Sequence, residues 1–155
     1  MARYVIFSVV LFVLISTSFE LYQKQNQGRL VLATLAGLER DDFYEISSRD
    51  SLSNQEKKLD AIPDKLLKDF IASVANSDSA IFSRPQSDSK KTFLRFKTSK
   101  GNFDMEFYYH SQLGEPIQFV VIERDYFASD SYTQKNFGRF RSGYIQEFLR
   151  YVDQS

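Results

Sequence analysis

The longest hydrophobic run of the chain lies at its N-terminus, where residues 4–19 contain no charged residue, no proline and no glycine. Only Arg3 and the terminal amine separate this run from the chain end. Such a run at an N-terminus predicts either a membrane-spanning helix or a secretory signal peptide. As an α-helix it would extend roughly 24 Å, which is short for a hydrocarbon core of about 30 Å, so a span needs a few interfacial residues as well.

Two fates of this segment stay open. Ser16 and Ser18 are small residues at the spacing of a cleavage site, and cleavage there would start the mature chain at Phe19. Alanine is absent from both positions, however, and aromatic residues such as Phe19 and Tyr22 suit a membrane interface. We therefore predict that residues 1–22 form a retained signal anchor, with a cleaved signal peptide as the alternative.

The charges beside the run do not decide its orientation, because Arg3 and the amine on one side are balanced by Lys24 and Arg29 on the other. The short tail before the run favours export of the residues that follow it. We therefore predict a single-pass protein that is anchored in a membrane by residues 4–19, with its domain extracytoplasmic. If the segment is cleaved, the prediction becomes a secreted or periplasmic protein.

The polar residues 23–29 are predicted to form a juxtamembrane linker, and residues 30–155 a single domain. The domain opens on residues 30–38, an apolar run of nine residues that is too short to span a membrane. We predict that this run is a helix and that the polar segment lets it continue from the anchor.

Two later segments have the three- and four-residue spacing of apolar positions that is typical of an amphipathic helix. The first follows Pro63 and carries Leu66, Leu67, Phe70, Ile71 and Val74. The second starts at Ser142 and carries Tyr144, Ile145, Phe148, Leu149 and Val152. Each stripe predicts a helix with one face buried in the domain.

Strands are predicted between these helices. Residues 42–48 read as a first strand with Tyr44 and Ile46 on one face. A β-hairpin is predicted from residues 92–98 and 102–110, which flank the turn signal Ser99-Lys100-Gly101. With Lys100 and Gly101 as a two-residue loop, Arg95 would face Glu106 and Lys97 would face Asp104. One hairpin face is then apolar and is formed by Leu94, Phe96, Phe103, Met105 and Phe107.

A further strand is predicted over residues 117–123, and its nearly continuous apolar sequence suggests that both of its faces are covered. The fold class that follows is α+β, with an N-terminal membrane or signal helix followed by one small domain. In that domain, an antiparallel β-meander of about four strands packs against two or three helices.

The composition of the chain limits the classes of partner that are expected. The chain carries 20 basic and 20 acidic residues, and this balance argues against a nucleic-acid partner. Aromatic residues make up 15% of the chain and are concentrated in its second half, where most are expected to fill the core.

Candidate chemistry is sparse. The chain has no cysteine and one histidine, His110, so the common zinc sites lack ligands. A serine–histidine–aspartate arrangement would have to use His110, whose neighbour Ser111 points to the opposite face of a strand. No nucleotide-binding or calcium-binding loop motif is present. We therefore predict a protein that is not an enzyme, with no catalytic residue, no metal site and no cofactor.

One segment has the composition of a contact surface. Residues 135–143 alternate cations with aromatic side chains, a pattern that suits a partner protein or lipid headgroups. The candidate contact residues are Lys135, Phe137, Arg139, Phe140 and Arg141, together with Tyr126 and Tyr132 from the preceding segment. The alternative is a loop that leads into the last helix, with Phe137 and Phe140 in the core and the arginines solvated.

Two functions of different class remain. The first is a non-catalytic, membrane-tethered or exported interaction module with a protein partner, such as an accessory subunit, assembly factor, inhibitor or immunity-type protein. The second is a domain that binds a small ligand or lipid in a cavity lined by the aromatic side chains of the hairpin and the next strand.

Overall fold

The computed structural model of the chain describes residues 2–50, 55–81, 89–109, 116–122 and 136–155. Its helices are α1 (Ala2–Ala36), α2 (Asp64–Ala75) and α3 (Gln146–Gln154), with a 3₁₀ turn at Arg40–Asp42. Its strands are β1 (Phe43–Asp50), β2 (Glu56–Lys58), β3 (Asp78–Ser79), β4 (Lys90–Thr98), β5 (Gly101–Tyr109), β6 (Ile117–Ile122) and β7 (Asn136–Ser142).

The described strands form one antiparallel sheet in the order β2-β1-β4-β5-β6-β7-β3. The predicted α+β class with a long N-terminal helix is confirmed. The predicted number of about four strands is too low, because the described part of the sheet contains seven. Two of the additional strands, β2 and β3, are only three and two residues long. Strand β7 lies in the segment that was predicted to be a contact surface or, alternatively, a loop.

Helix α1 is continuous over 35 residues and includes residues 23–29. The prediction that the apolar segment 30–38 is helical and runs on from the anchor is confirmed as far as Ala36. Gln25 and Gly28 are buried in the segment that was predicted to be a linker. Leu32 and Leu35 follow on the same face and are also buried, so packing of the domain begins inside the polar segment.

The main core lies between one face of the sheet and the helices. The predicted helix after Pro63 is confirmed as α2, which buries Leu67, Phe70, Ile71 and Val74. The ring of Phe70 lies 4.1 Å from that of Phe148 on α3 and 5.7 Å from that of Phe96 on β4, measured between centroids. Stacking continues across the sheet from Phe107 to Phe119 and from Phe119 to Phe140, at 5.3 and 5.5 Å.

The hairpin forms with the predicted faces but a different register. Thr98 pairs with Gly101, so the loop is Ser99-Lys100, and Arg95 lies opposite Asp104 instead of Glu106. The predicted register was therefore wrong by two residues along one strand. The Thr98 hydroxyl donates to the Gly101 carbonyl at 2.8 Å and accepts from the Lys100 N–H at 3.2 Å, and these contacts close the Ser99-Lys100 loop. A shift of two residues leaves every side chain on its predicted face.

Two predicted apolar positions are exposed. Tyr44 is 70% exposed because the pairing of β1 with β4 is irregular between Phe43 and Glu45, so Phe43 and Ile46 point into the core instead. Tyr144 is 85% exposed because α3 begins at Gln146, later than predicted. The prediction that β6 is covered on both faces is confirmed, since Val120 and Ile122 are buried in a second cluster with Phe93.

Candidate functional site

Helix α1 has two halves with opposite surroundings. From Ile6 to Tyr22 every side chain is exposed, and this half is strongly apolar. The helix is long and apolar enough to cross a membrane, a property that an N-terminal signal sequence shares. From Gln25 onward the helix packs on β7 and α2. One continuous helix therefore includes both the exposed apolar segment and a part of the core of the domain.

The side-chain amide of Gln25 makes the first contact with the sheet. Its Nε2 donates to the backbone carbonyl of Arg139 at 2.9 Å, and its Oε1 accepts from the Arg139 N–H at 3.1 Å. The amide thus pairs with both backbone groups of one strand residue, as a neighbouring strand would. The Arg139 carbonyl also accepts from the Ala80 N–H at 2.9 Å, next to β3. Gln25 therefore covers the edge of β7 beside the point where the two-residue strand β3 ends.

Two glycines permit this close approach. A Cβ on Gly28 would lie 1.8 Å from the carbonyl oxygen of Phe137 and 2.8 Å from the ring of Phe140. A Cβ on Gly138 would lie 2.6 Å from Oε1 of Gln25, and Gly138 has a φ of +99°, which favours glycine. The pairing of β6 with β7 is irregular at this position, so Gly138 lies in a β-bulge of β7.

A cation and a ring complete the contact. The guanidinium carbon of Arg29 lies 4.8 Å from the centroid of the Phe140 ring, within the range of a cation–π interaction. Phe140 is fully buried and stacks on Phe119, so the contact continues directly into the aromatic core. We call the set Gln25, Gly28, Arg29, Gly138, Arg139 and Phe140 the helix–sheet junction.

The structure assigns different positions to the predicted contact residues. Phe140 is fully buried, so in this conformation its ring cannot contact an external partner. Phe137 and Arg139 are half-buried beside α1, and Arg141 is exposed on β7. The segment from Asn136 to Ser142 is a strand, so the alternative interpretation was wrong in expecting a loop there, although Phe140 does lie in the core as that interpretation placed it. Lys135, Tyr126 and Tyr132, like His110, lie outside the described residues.

The pattern of alternating cations and rings identified one half of the junction, and sequence reasoning missed the other half. Gln25 and Gly28 stand in a polar segment without a hydrophobic repeat, and Gln25 lies 114 residues from its partner Arg139. The available signal was a glycine inside a helical segment, which usually has a packing reason.

A separate cleft lies between α2 and α3. It encloses about 480 Å³ and is lined by residues that include Asp69, Ser73, Tyr144, Glu147 and Arg150. The exposed ring of Tyr144 borders it, and Arg150 forms no ion pair within the described part of the chain. Aromatic and arginine side chains beside a cleft are typical of protein interfaces.

The described residues contain no group of three or more potential metal ligands from histidine, cysteine, aspartate and glutamate. Comparison with known proteins places the chain in no family: no family model, no curated protein and no solved structure matches it.

Proposed function

We propose that this protein is a non-catalytic interaction module that is tethered to a membrane by the first half of α1 and held beside it by the second half. The observation that carries the proposal is the junction of Gln25 and Gly28 with β7, in an unbroken helix. A flexible tether would leave the domain free to rotate over the membrane. A helix that continues into the core couples the orientation of the domain to that of the anchor.

The extracytoplasmic side is part of the proposal. It follows from the interpretation of the apolar half of α1 as a signal for export or membrane insertion. A protein partner in or beside the same membrane would meet the domain in one orientation. Such an arrangement reduces the freedom that is lost on binding, which favours association.

The partner surface that we propose is the cleft between α2 and α3 together with Tyr144 at its border. Tyr144 is exposed, and Arg150 lines the cleft. This surface lies outside the predicted contact segment, in which Phe140 is buried in the core and Arg141 follows it on the opposite face of β7. It combines a large aromatic side chain with an arginine, residue types that contribute strongly to protein interfaces.

A photo-crosslinking amino acid at position 144 in the full chain, irradiated in intact membranes, tests this proposal. We expect one dominant adduct with a second protein, and none from the same probe at Lys57 on β2, at the opposite edge of the sheet. The adduct should weaken when Arg150 is replaced by alanine. An equal set of adducts from both positions would contradict the proposed surface.

The alternative is a domain that holds a small ligand or lipid in an aromatic cavity. The rings that would line it are Phe96, Phe107 and Phe119, which are fully buried and in contact with other rings. Their mutual packing favours a filled core over a cavity. A large rise in the melting temperature with a lipid extract, without any protein adduct at position 144, would favour the alternative.

A further inference from the structure

The side of α1 that faces away from the domain carries an exposed leucine. Leu30 is 68% exposed, whereas Leu32 lies about 160° further around the helix and is buried in the core. Along the helix axis, Leu30 is roughly 16 Å from Phe19, the end of the uncharged run. The headgroup region of one leaflet is only about 5–8 Å thick. A membrane crossed by the apolar half of α1 would therefore not cover Leu30, and the domain does not cover it either.

Leu30 belongs to a row of residues at alternating spacings of three and four along α1. In the domain half of the helix the row consists of four exposed residues, Gln23, Asn26, Leu30 and Ala33. The same spacing continues through the exposed residues of the apolar half, Phe12, Ser16 and Phe19. We call this row the outer seam of α1. Its mean spacing of 3.5 residues is that of two helices packed in a left-handed coiled coil, a geometry found both in water and in membranes.

The charged residues of the helix lie beside the outer seam and not on it. Between Ile6 and Ala36 they are Glu20, Lys24 and Arg29. Lys24 pairs with Glu20, and the guanidinium of Arg29 lies over the ring of Phe140. A second copy of the chain carries the same charges, and like charges that face each other oppose association. Because the seam is uncharged, two copies can meet along it without that repulsion.

The side chains of the seam suit a partner identical to the chain itself. Copies anchored by the same segment share their depth and direction in a membrane, so each seam residue would lie beside its own counterpart across a two-fold axis. Gln23 and Asn26 fit this arrangement, because an amide both donates and accepts hydrogen bonds and can pair with an identical amide. A polar residue at such a position fixes the register and the number of helices in a coiled coil.

The length of the seam also favours a second copy. From Phe12 to Ala33 it extends roughly 32 Å, through the apolar half and on beside the domain. A partner that covers all of it must be a helix that leaves the membrane without a break. Helix α1 is such a helix, since it is continuous from Ala2 to Ala36.

We propose that α1 forms a parallel two-stranded coiled coil with a second copy of the chain, in which Gln23 and Asn26 pair just outside the membrane. This inference rests on the proposed membrane anchor and adds the chain itself as a partner. Because each domain packs on the opposite side of its own α1, the two domains lie on the outer sides of the helix pair.

Disulfide crosslinking tests the pairing, because the chain has no cysteine of its own. Gln23→Cys and Leu21→Cys are a matched pair of exposed positions that lie about 160° apart around the helix. Each purified full chain is placed in phosphatidylcholine vesicles at a low ratio of protein to lipid and is oxidised with copper phenanthroline. Gln23→Cys should form a covalent dimer on a non-reducing gel, and Leu21→Cys should remain mostly monomeric.

A second substitution separates specific pairing from random collision. Asn26→Asp in the Gln23→Cys chain would place two carboxylates opposite each other in the seam, and most of the dimer should be lost. Asn26 is exposed, so the domain should keep its fold, which circular dichroism checks. The matched control is Asn76→Asp in the same chain, the same change at an exposed position at the end of α2, and it should leave the dimer in place.

Equal dimer yields from positions 23 and 21, or an unchanged yield with Asn26→Asp, would overturn the inference. Absence of a dimer from Gln23→Cys would overturn it as well. Washing the vesicles with alkaline carbonate distinguishes this failure from that of the anchor. A chain that is washed off shows that the anchor itself is wrong, whereas a chain that stays inserted without forming the dimer overturns this inference alone.

Discussion

The side-chain amide of Gln25 and the backbone of Arg139 form a closed pair of hydrogen bonds, at 2.9 and 3.1 Å, between the first helix and the strand β7. This contact connects the apolar N-terminal segment to the sheet without a linker. It also protects an edge of β7 that the two-residue strand β3 covers only in part.

Replacing Gln25 by alanine removes both hydrogen bonds. The Arg139 carbonyl keeps its bond from Ala80, but the Arg139 N–H is left without its partner from α1. We expect a loss of about 1–3 kcal/mol in the free energy of unfolding, measured by denaturant titration of the full chain in mild detergent. Gln27→Ala is the matched control, because Gln27 is exposed on the same helix. Equal losses from both variants would show that the amide pair contributes nothing.

Replacing Gly28 by alanine should destabilise the domain although alanine favours a helix by about 1 kcal/mol. The new methyl group would overlap the Phe137 carbonyl and the Phe140 ring, so helix and strand must move apart. Overpacking of this kind costs about 1–3 kcal/mol or more. The melting temperature should fall for Gly28→Ala and stay unchanged for Gly143→Ala, where a Cβ meets nothing within 4 Å. A stabilised Gly28→Ala variant would mean that α1 does not approach β7 this closely.

The β4–β5 hairpin contains an ion pair, and its removal should lower the free energy of unfolding substantially. The guanidinium of Arg95 donates twice to the Asp104 carboxylate, at 2.9 and 2.8 Å, and the aspartate is only 1% exposed. Asp104→Asn removes the charge that balances a mostly buried arginine, which typically costs about 3–5 kcal/mol. Asp69→Asn breaks the exposed pair with Lys65 and should cost at most about 1 kcal/mol. Similar unfolding midpoints for the two variants would contradict the observed register.

Alkaline pH should destabilise the attachment of α3. The hydroxyl of Tyr109 donates to the Asp153 carboxylate at 2.9 Å, and burial raises the pKa of Tyr109 above its ordinary value of 10.0. The unfolded chain therefore releases this proton first as the pH rises, so stability is complete below pH 10.0 and is lost above it as the pH approaches the pKa of the folded state.

Tyr109→Phe removes this ionisation, and the decline in unfolding free energy above pH 10.0 should become shallower. The neighbouring Lys90 contributes in the same pH range. Partial burial lowers its pKa, but the hydrogen bond to Asp153 and the nearby negative charges outweigh that effect and raise it. An identical alkaline decline in wild type and variant would show that Tyr109 does not titrate in this way.

The parts of the fold that could be predicted are those determined by the spacing of apolar residues within one short segment. The stripe from Leu67 to Val74 determines the buried face of α2, and alternation along Leu94, Phe96 and Phe103 determines the inner face of the hairpin. The register of the β4–β5 hairpin was not predicted correctly, because a shift of two residues keeps every side chain on the same face. Only the contacts of Thr98 in the loop select the observed pairing.

Only the β7 residues of the helix–sheet junction could be identified from the sequence; its α1 residues could not. The alternation of cations and rings identified Phe137, Arg139 and Phe140, either as a surface for an external partner or with the two rings in the core. Their partner in the structure is α1 of the same chain, through Gln25, Gly28 and Arg29. This contact joins polar and glycine residues that are more than a hundred positions apart in the chain. No periodic pattern in the sequence indicates such a contact. For the same reason, the short strands β2 and β3 could not be predicted from propensity.

Helix α1 is proposed to be both the membrane anchor and a structural helix of the domain. The most direct test of this proposal is the intact mass of the protein recovered from cell membranes after a wash with alkaline carbonate. We expect the protein to stay in the membrane pellet with residues 4–19 still attached. A protein released into the supernatant as a chain that begins at Phe19 would contradict it.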